Sequence, residues 1–281
     1  MKLKRKGRRR LVTIVILLLT IAALFYAAFY SELTVRRYTY ETDKLSEPLR
    51  AVLISDLHNG FYGENQSDLI AIIDRQNPDI ILMAGDVADD IMPDDGIIAL
   101  LEGIAHKYQC FYVSGNHEIR GNDFRELKDM LRGYGVSVLE GNTERVVING
   151  QRVNISGVDD PVIGRARYNA QLEQVFEELD SRVFTIFLAH RPERINEYPN
   201  DCLIVTGHAH GGQWRVPFIL NGLYAPNQGR FPQYAGGLYK ADIRTMVVSR
   251  GLAKEDVGRA AGIPRIFNPP EIVVIDIVPR R

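Results

Sequence analysis

The sequence predicts a layered α/β domain with more than one sheet, carried behind a single transmembrane helix. Three observations lead there. A long uncharged run follows a basic amino terminus, apolar strands alternate with amphipathic helices through the middle of the chain, and short hairpin-like strands then interrupt that alternation. The 281 residues are 46% hydrophobic and 25% charged, a globular mixture that excludes a disordered tail, a collagen-like rod and a multi-span membrane protein. The net charge of −1 conceals an asymmetry. Seven of the first ten residues are basic (Lys2, Lys4, Arg5, Lys6, Arg8, Arg9 and Arg10), and the remainder holds 27 basic against 35 acidic residues. So acidic a body is a poor partner for nucleic acid, whose backbone is gripped by clustered Lys and Arg. Two lone cysteines, Cys110 and Cys202, make neither a disulfide framework nor a structural zinc cluster.

Residues 11–30 contain no charged side chain, and as a helix they span about 30 Å, the hydrocarbon thickness of a bilayer. Tyr26 and Tyr30 stand at the far end, where amphipathic rings favour the interface. The basic block is expected to stay in the cytoplasm and send the body across. A cleaved signal peptide fits less well, because the apolar run exceeds 7–15 residues and no small-x-small site precedes Ser31. The expected division is a basic flank at 1–10, a transmembrane anchor at 11–30, a connector or first edge strand at 31–48, and one domain at 49–281.

Within that domain, residues 50–55 (RAVLIS) read as a buried strand and 67–76 as an amphipathic helix ended by Asn77-Pro78. Strands follow at 80–83 and 110–113, with helices at 96–105 and 123–132. Short strands at 136–139, 145–148 and 153–156 are punctuated by Asn/Gly turns. A helix at 170–179, strands at 183–188 and 203–206, and a Gly-, Pro- and Tyr-rich stretch come next, closed by strands at 245–249 and 271–278.

Each apolar strand ends in a polar cluster: Asp56-Leu57-His58, Gly85-Asp86, Gly115-Asn116-His117-Glu118, His190, and Gly207-His208-Ala209-His210. Asp56, Asp86 and Asn116 are thirty residues apart each time, one strand–helix–strand unit, and right-handed connections of that length bring strand ends to one sheet edge. Ligands bind at that edge. Carboxylates, imidazoles and a carboxamide without a thiolate suit Mn²⁺, Fe²⁺ or Zn²⁺. Asp-x-His and His-x-His are expected to place two side chains on the same side of an extended backbone, so each pair can reach into one site. Five of the six histidines lie in these loops; His106 alone falls outside. Taken singly, each cluster is an ordinary turn, cap or surface residue. All of them in order, each at a strand end, point to one site.

The ordered set DxH, GD, GNHE, H and GHxH resembles the calcineurin-like metallophosphoesterase family. GHAHGGQW at 207–214, with the later SRGL and PPEI, is similar to its bacterial membrane-anchored branch. The resemblance runs from about residue 49 to the end. It implies a β-sandwich flanked by helices with two divalent metal ions. Asp56, His58 and His210 would hold one ion and Asn116, His190 and His208 the other, with Asp86 bridging. His117 would be the catalytic residue over the leaving oxygen, as general acid or transition-state hydrogen-bond donor, and Asp89, in a GDxxD pattern, would orient it. Glu118 is expected in a supporting role. Two ions at such a site activate water as hydroxide and clamp phosphoryl oxygens.

The function expected is therefore a membrane-anchored phosphohydrolase acting on phosphodiester or pyrophosphate bonds, with phosphomonoester cleavage as the alternative on the same site. A non-catalytic binding module would be expected to have lost a ligand or His117, and a metal store would leave His117 without a task. Specificity is expected in the loops at 91–95, 159–167 and 214–239. There Arg165, Arg167, Trp214, Arg215, Tyr224, Arg230, Tyr234 and Tyr239 either grip substrate or pack over the sandwich. The anchor places the enzyme at the cell membrane with its catalytic domain outside the cytoplasm, near lipid- or envelope-linked phosphates.

Overall fold

Apolar side chains at every second position on both faces of the central strands require cover on both sides, and the chain supplies it with two sheets packed together and helices outside them. The computed structural model describes residues 2–121, 123–241, 243–254 and 264–280, with side chains from residue 6 onward. The side chains of Lys2, Lys4 and Arg5 in the basic flank therefore lie outside the described residues. In chain order the elements are α1 (Lys2–Ala28), β1 (Thr34–Thr42), β2 (Leu49–Ile54), α2 (Ser67–Gln76), β3 (Ile80–Ala84), α3 (Asp95–Ile104), β4 (Gln109–Val113), α4 (Asn116–Arg120), α5 (Phe124–Gly133), β5 (Ser137–Val138), β6 (Thr143–Ile148), β7 (Gln151–Gly157), α6 (Arg165–Glu178), β8 (Phe184–Leu188), β9 (Leu203–Thr206), β10 (Tyr224–Ala225), β11 (Gly229–Arg230), β12 (Gly237–Ala241), β13 (Arg244–Val248) and β14 (Glu271–Pro279).

One six-stranded sheet has the order β1-β14-β2-β3-β4-β5, with β2 to β5 parallel; the other runs β12-β13-β9-β8-β7-β6, with β13, β9, β8 and β7 parallel. Leu53, Leu82, Phe111 and Val113 from the first face Ile155, Ile186, Leu188 and Val205 from the second. The opposite face of the first sheet, with Val52, Ile81 and Tyr112, is covered by Leu69, Ile73, Leu100 and Leu131 of α2, α3 and α5. Phe187, Ile204 and Met246 of the second pack on Leu172 and Val175 of α6. The parallel strands end at one rim, where the polar clusters stand.

The stretch expected as connector or edge strand is β1, which pairs in parallel with β14 along Thr34–Thr42. Pairing across so much sequence leaves no local signal. The first edge strand expected there is thus present, whereas the sequence pattern does not predict β12 in the Gly- and Tyr-rich stretch. Within α1 the segment Lys6–Ala28 holds an 18-residue window of mean hydropathy 2.7 that is 6% buried, long and apolar enough to cross a membrane. Leu82 lies fully buried between the sheets. Leu82→Ala is expected to cost about 2–5 kcal/mol, seen as a lower denaturation midpoint at unchanged slope in chemical unfolding of the detergent-solubilised chain.

Candidate metal centre

Five polar side chains at the rim are held in left-handed backbone: Asp56 (φ 51), His58 (φ 49), Asp86 (φ 51), His208 (φ 69) and His210 (φ 47). This corrects the expectation of an extended backbone through Asp-x-His and His-x-His. Each chain turns sharply as it leaves its strand, at about 1 kcal/mol or more per residue, and the tight packing of the loops sustains the strain. Gly85 (φ 82) follows β3 where a Cβ would stand 2.6 Å from both Gly115 N and His190 Nδ1, so only glycine lets the loops after β3, β4 and β8 meet.

The turns keep the Asp-x-His partners together and send the His-x-His partners different ways. One ligand atom each from Asp56, His58 and His210 lies within 4.8 Å of the others, and the same holds for Asp86, His190 and His208. His208 and His210 thus belong to separate groups. Asp86 stands between: its Oδ2 is 3.0 Å from His190 Nε2 and 4.0 Å from His58 Nε2. The Asn116 amide reaches within 3.0 Å of His208 Nδ1. Turned one way its NH₂ faces that nitrogen; turned the other, its oxygen joins the same acceptor cluster.

Proton bookkeeping shows what these atoms want. His190 Nδ1 lies 2.7 Å from the Ala84 carbonyl, which can only accept, so Nδ1 carries the hydrogen and Nε2 is the lone-pair nitrogen of the neutral ring. His208 Nε2 lies 2.8 Å from Asn227 Oδ1, which turns Nδ1 inward as the lone-pair atom. That Nδ1 is 3.1 Å from His190 Nε2, and Nε2 faces Asp86 Oδ2. Three acceptor atoms facing one another demand positive charge. The electrostatics show the demand: against the downward pull of burial, the Asp86 charge pushes His190 up to about 10. Burial, then repulsion from His190, drives His208 down to about 3. In the other group His58 Nδ1 lies 2.9 Å from Asp89 Oδ2, again freeing Nε2, and the buried His210 Nδ1 has no hydrogen-bond partner among the described residues. Burial lowers His210 to about 4. A neutral imidazole with an inward lone pair is the form that coordinates a cation, so these donors fit divalent metal ions.

His117 heads α4. Its N–H donates to Asp86 Oδ1 at 2.8 Å, and its ring stands edge-on to His58 at 4.6 Å. Its Nδ1 is 2.8 Å from Asp90 Oδ1 and 3.4 Å from Asp89 Oδ2. Asp89, expected to orient His117, makes its shorter contact with His58 and shares the His117 role with Asp90. The sequence reading passed over Asp90, although it is the next residue in an acidic pair. Although burial pulls the imidazole down, Asp89, Asp86 and Asp90 together raise His117 to about 9. Burial opposes ionisation of Asp89, yet hydrogen bonds to His117 and His58 hold its carboxyl well below the usual range.

Glu118 is the tie between two loops. Its carboxylate accepts from Gly115 N–H (2.8 Å), Asp86 N–H (3.0 Å), Val87 N–H (2.8 Å) and Ala88 N–H (3.2 Å). Behind His190, Arg191 grips Asp160 through two bonds of 2.6 and 2.9 Å. Asn227, also unforeseen, carried no signal beyond its place in a polar turn. Among the expected specificity residues, Tyr234 and Tyr239 pack on each other at 5.1 Å, whereas Arg165, Arg167, Tyr224 and Arg230 are exposed.

Residues 49–212 match the family model of the calcineurin-like phosphoesterases, which covers more than half of the chain. The chain belongs to that family, whose members hydrolyse phosphoric esters and depend on two metal ions. It is 30% identical over 256 residues to a metallophosphoesterase of Aquifex aeolicus, covering 87% of this chain and 92% of that one. It is 28% identical over 239 residues to the metallophosphoesterase YkuE of Bacillus subtilis, covering 81% and 78%. The phosphodiesterase YaeI of Escherichia coli is 26% identical over 243 residues, covering 82% and 83%.

Glu118→Ala strands four buried N–H groups around Asp86. It is expected to cost at least about 3 kcal/mol in chemical denaturation and to lower bound metal per chain, while Glu118→Gln, which keeps an acceptor, loses less of both.

Proposed function

We propose that the protein is a membrane-anchored, two-metal phosphohydrolase that cleaves phosphodiester or pyrophosphate bonds outside the cytoplasm. The observation that carries this reading is the set of inward lone pairs around Asp86, set beside an imidazole whose Nδ1 is held by carboxylates. Asp56, His58 and His210 would hold one cation, Asn116, His190 and His208 the other, and Asp86 both. Such a pair of cations supplies an acidified water and neutralises phosphoryl charge. Mn²⁺, Fe²⁺ and Zn²⁺ all suit these donors.

The chain's own residues do the rest. Asp89, Ala84 O and Asn227 fix the tautomers of His58, His190 and His208, so their coordinating nitrogens need no reorganisation. Asp90 and Asp89 hold the His117 ring by Nδ1, which leaves Nε2 to give a proton to the departing oxygen. Their charge keeps that ring protonated at neutral pH, as a donor must be. The Escherichia coli relative is named a phosphodiesterase, which supports the diester reading. The basic flank supports a cytoplasmic amino terminus, and tethering beside the bilayer favours a lipid- or envelope-linked phosphate as substrate.

Hydrolysis of a generic aryl phosphodiester should require added divalent metal, stop on chelation, and exceed hydrolysis of the matching monoester; a monoester preference would shift the assignment to phosphomonoesterase. Asp86→Ala should lose bound metal and activity together. His117→Ala should keep its metal while turnover falls by about 10²–10⁴-fold. Equal metal loss in the two variants would refute the division of roles. In intact spheroplasts an external protease should digest the body; protection until lysis would put the catalytic domain in the cytoplasm.

A further inference from the structure

Beyond the metal centre, the segment that carries His210 continues into a turn built to project apolar side chains. Val216 N–H donates to Leu220 O at 3.0 Å and Leu220 N–H to Val216 O at 2.8 Å, closing a tight loop over Pro217-Phe218-Ile219. Phe218 sits at φ 67, a left-handed position that favours glycine, yet it presents its ring to solvent at 109% relative exposure, with Ile219 at 85%. A strained position holding a bare aromatic ring contributes nothing to this fold's core, which points to a use elsewhere.

What the turn stands beside identifies the use. It walls a cavity of about 470 Å³ whose other side carries Arg36, Arg215, Arg250 and Phe267. Phe267 N–H donates to the carbonyl of Ala28, the last residue of α1, at 2.7 Å. The cavity therefore abuts the end of the membrane-spanning helix. Glu271, paired with Arg250 at 3.2 Å and Arg36 at 3.6 Å, is the carboxylate those two arginines share, so among the described residues positive charge is in excess there. Arg215 is braced by Gly211 O at 3.1 Å and by Asn221. Apolar tip, arginine-lined cavity and membrane helix form one continuous surface.

We propose that this surface is a membrane-seating site: Phe218 and Ile219 enter the bilayer beside α1, and the cavity receives the phosphate of an anionic phospholipid. Aromatic rings favour the membrane–water interface, and arginines pair with phosphate. Seating through residues 214–220 holds the rim carrying His210 against the membrane, whereas α1 alone would only tether it. The proposal rests on α1 crossing the bilayer, and that is read separately below.

The chain contains one tryptophan, Trp214, 42% exposed and four residues before Phe218, which serves as an internal reporter. The full chain is placed in lipid nanodiscs of phosphatidylcholine with or without phosphatidylglycerol, using lipids brominated near the headgroup end of the acyl chain. Co-elution with the disc reads α1. Quenching of Trp214 reads the tip. Quenching is expected in the wild type and stronger with phosphatidylglycerol. The double variant Phe218→Ser, Ile219→Ser should lower the seated-to-unseated ratio at least about tenfold, with metal content and aryl phosphodiester hydrolysis unchanged. Arg36→Gln should remove about fivefold of the anionic preference. An unquenched wild type in a loaded disc would overturn the proposal and leave the tip to a protein partner. Equal quenching in the double variant would show that the tether alone brings Trp214 close. Reversal of the anionic preference by millimolar inorganic phosphate alone would make the cavity a free-phosphate site, also against the proposal.

Discussion

A buried carboxylate ringed by lone pairs is the constraint on which the rest of this structure depends. Asp86 is 1% exposed; its Oδ1 accepts from His117 N–H and its Oδ2 faces His190 Nε2, with His58 Nε2 further off. Negative charge so placed is costly unless positive charge meets it. The fold answers by bringing loops from both sheets to one rim: those after β2, β3 and β4 from the first, and those after β8 and β9 from the second. Left-handed turns, Gly85 and the four-way Glu118 carboxylate are consequences of packing so many polar groups into so little space.

Much of this was legible in the sequence because it is written locally. The helix at 67–76 and the strand at 203–206 have the bounds their patterns predict, since apolar periodicity and the Asn77-Pro78 stop act within a few residues. Thirty-residue spacing located the rim because strand–helix–strand units have a nearly fixed length. What stayed hidden was set by tertiary contact. The pairing of β1 with β14 has no local trace, and the tautomer-setting partners Ala84 O and Asn227 lie far in sequence from the rings they orient. The division of labour between Asp89 and Asp90 depends on a sub-ångström difference at His117 Nδ1, which no motif encodes.

The apolar helix α1 and the candidate metal centre are linked through the chain between them. Asn268 donates from its Nδ2 to His210 O at 2.8 Å and to Gln213 O at 3.1 Å, while its neighbour Phe267 bonds the end of α1. A short path of hydrogen bonds thus joins the helix end to the backbone of one rim histidine. The position of the domain relative to α1 and the shape of the site rest on the same few residues.

The central claim is that two cations belong at this rim, shared through Asp86. Anomalous diffraction from crystals of the metal-loaded chain, recorded above and below the absorption edge of the added metal, tests it most directly. Two peaks are expected: one among Asp56, His58, His210 and Asp86, and a second among Asp86, Asn116, His190 and His208. A single peak, or peaks away from Asp86 in a metal-loaded chain that hydrolyses phosphodiesters, would contradict it.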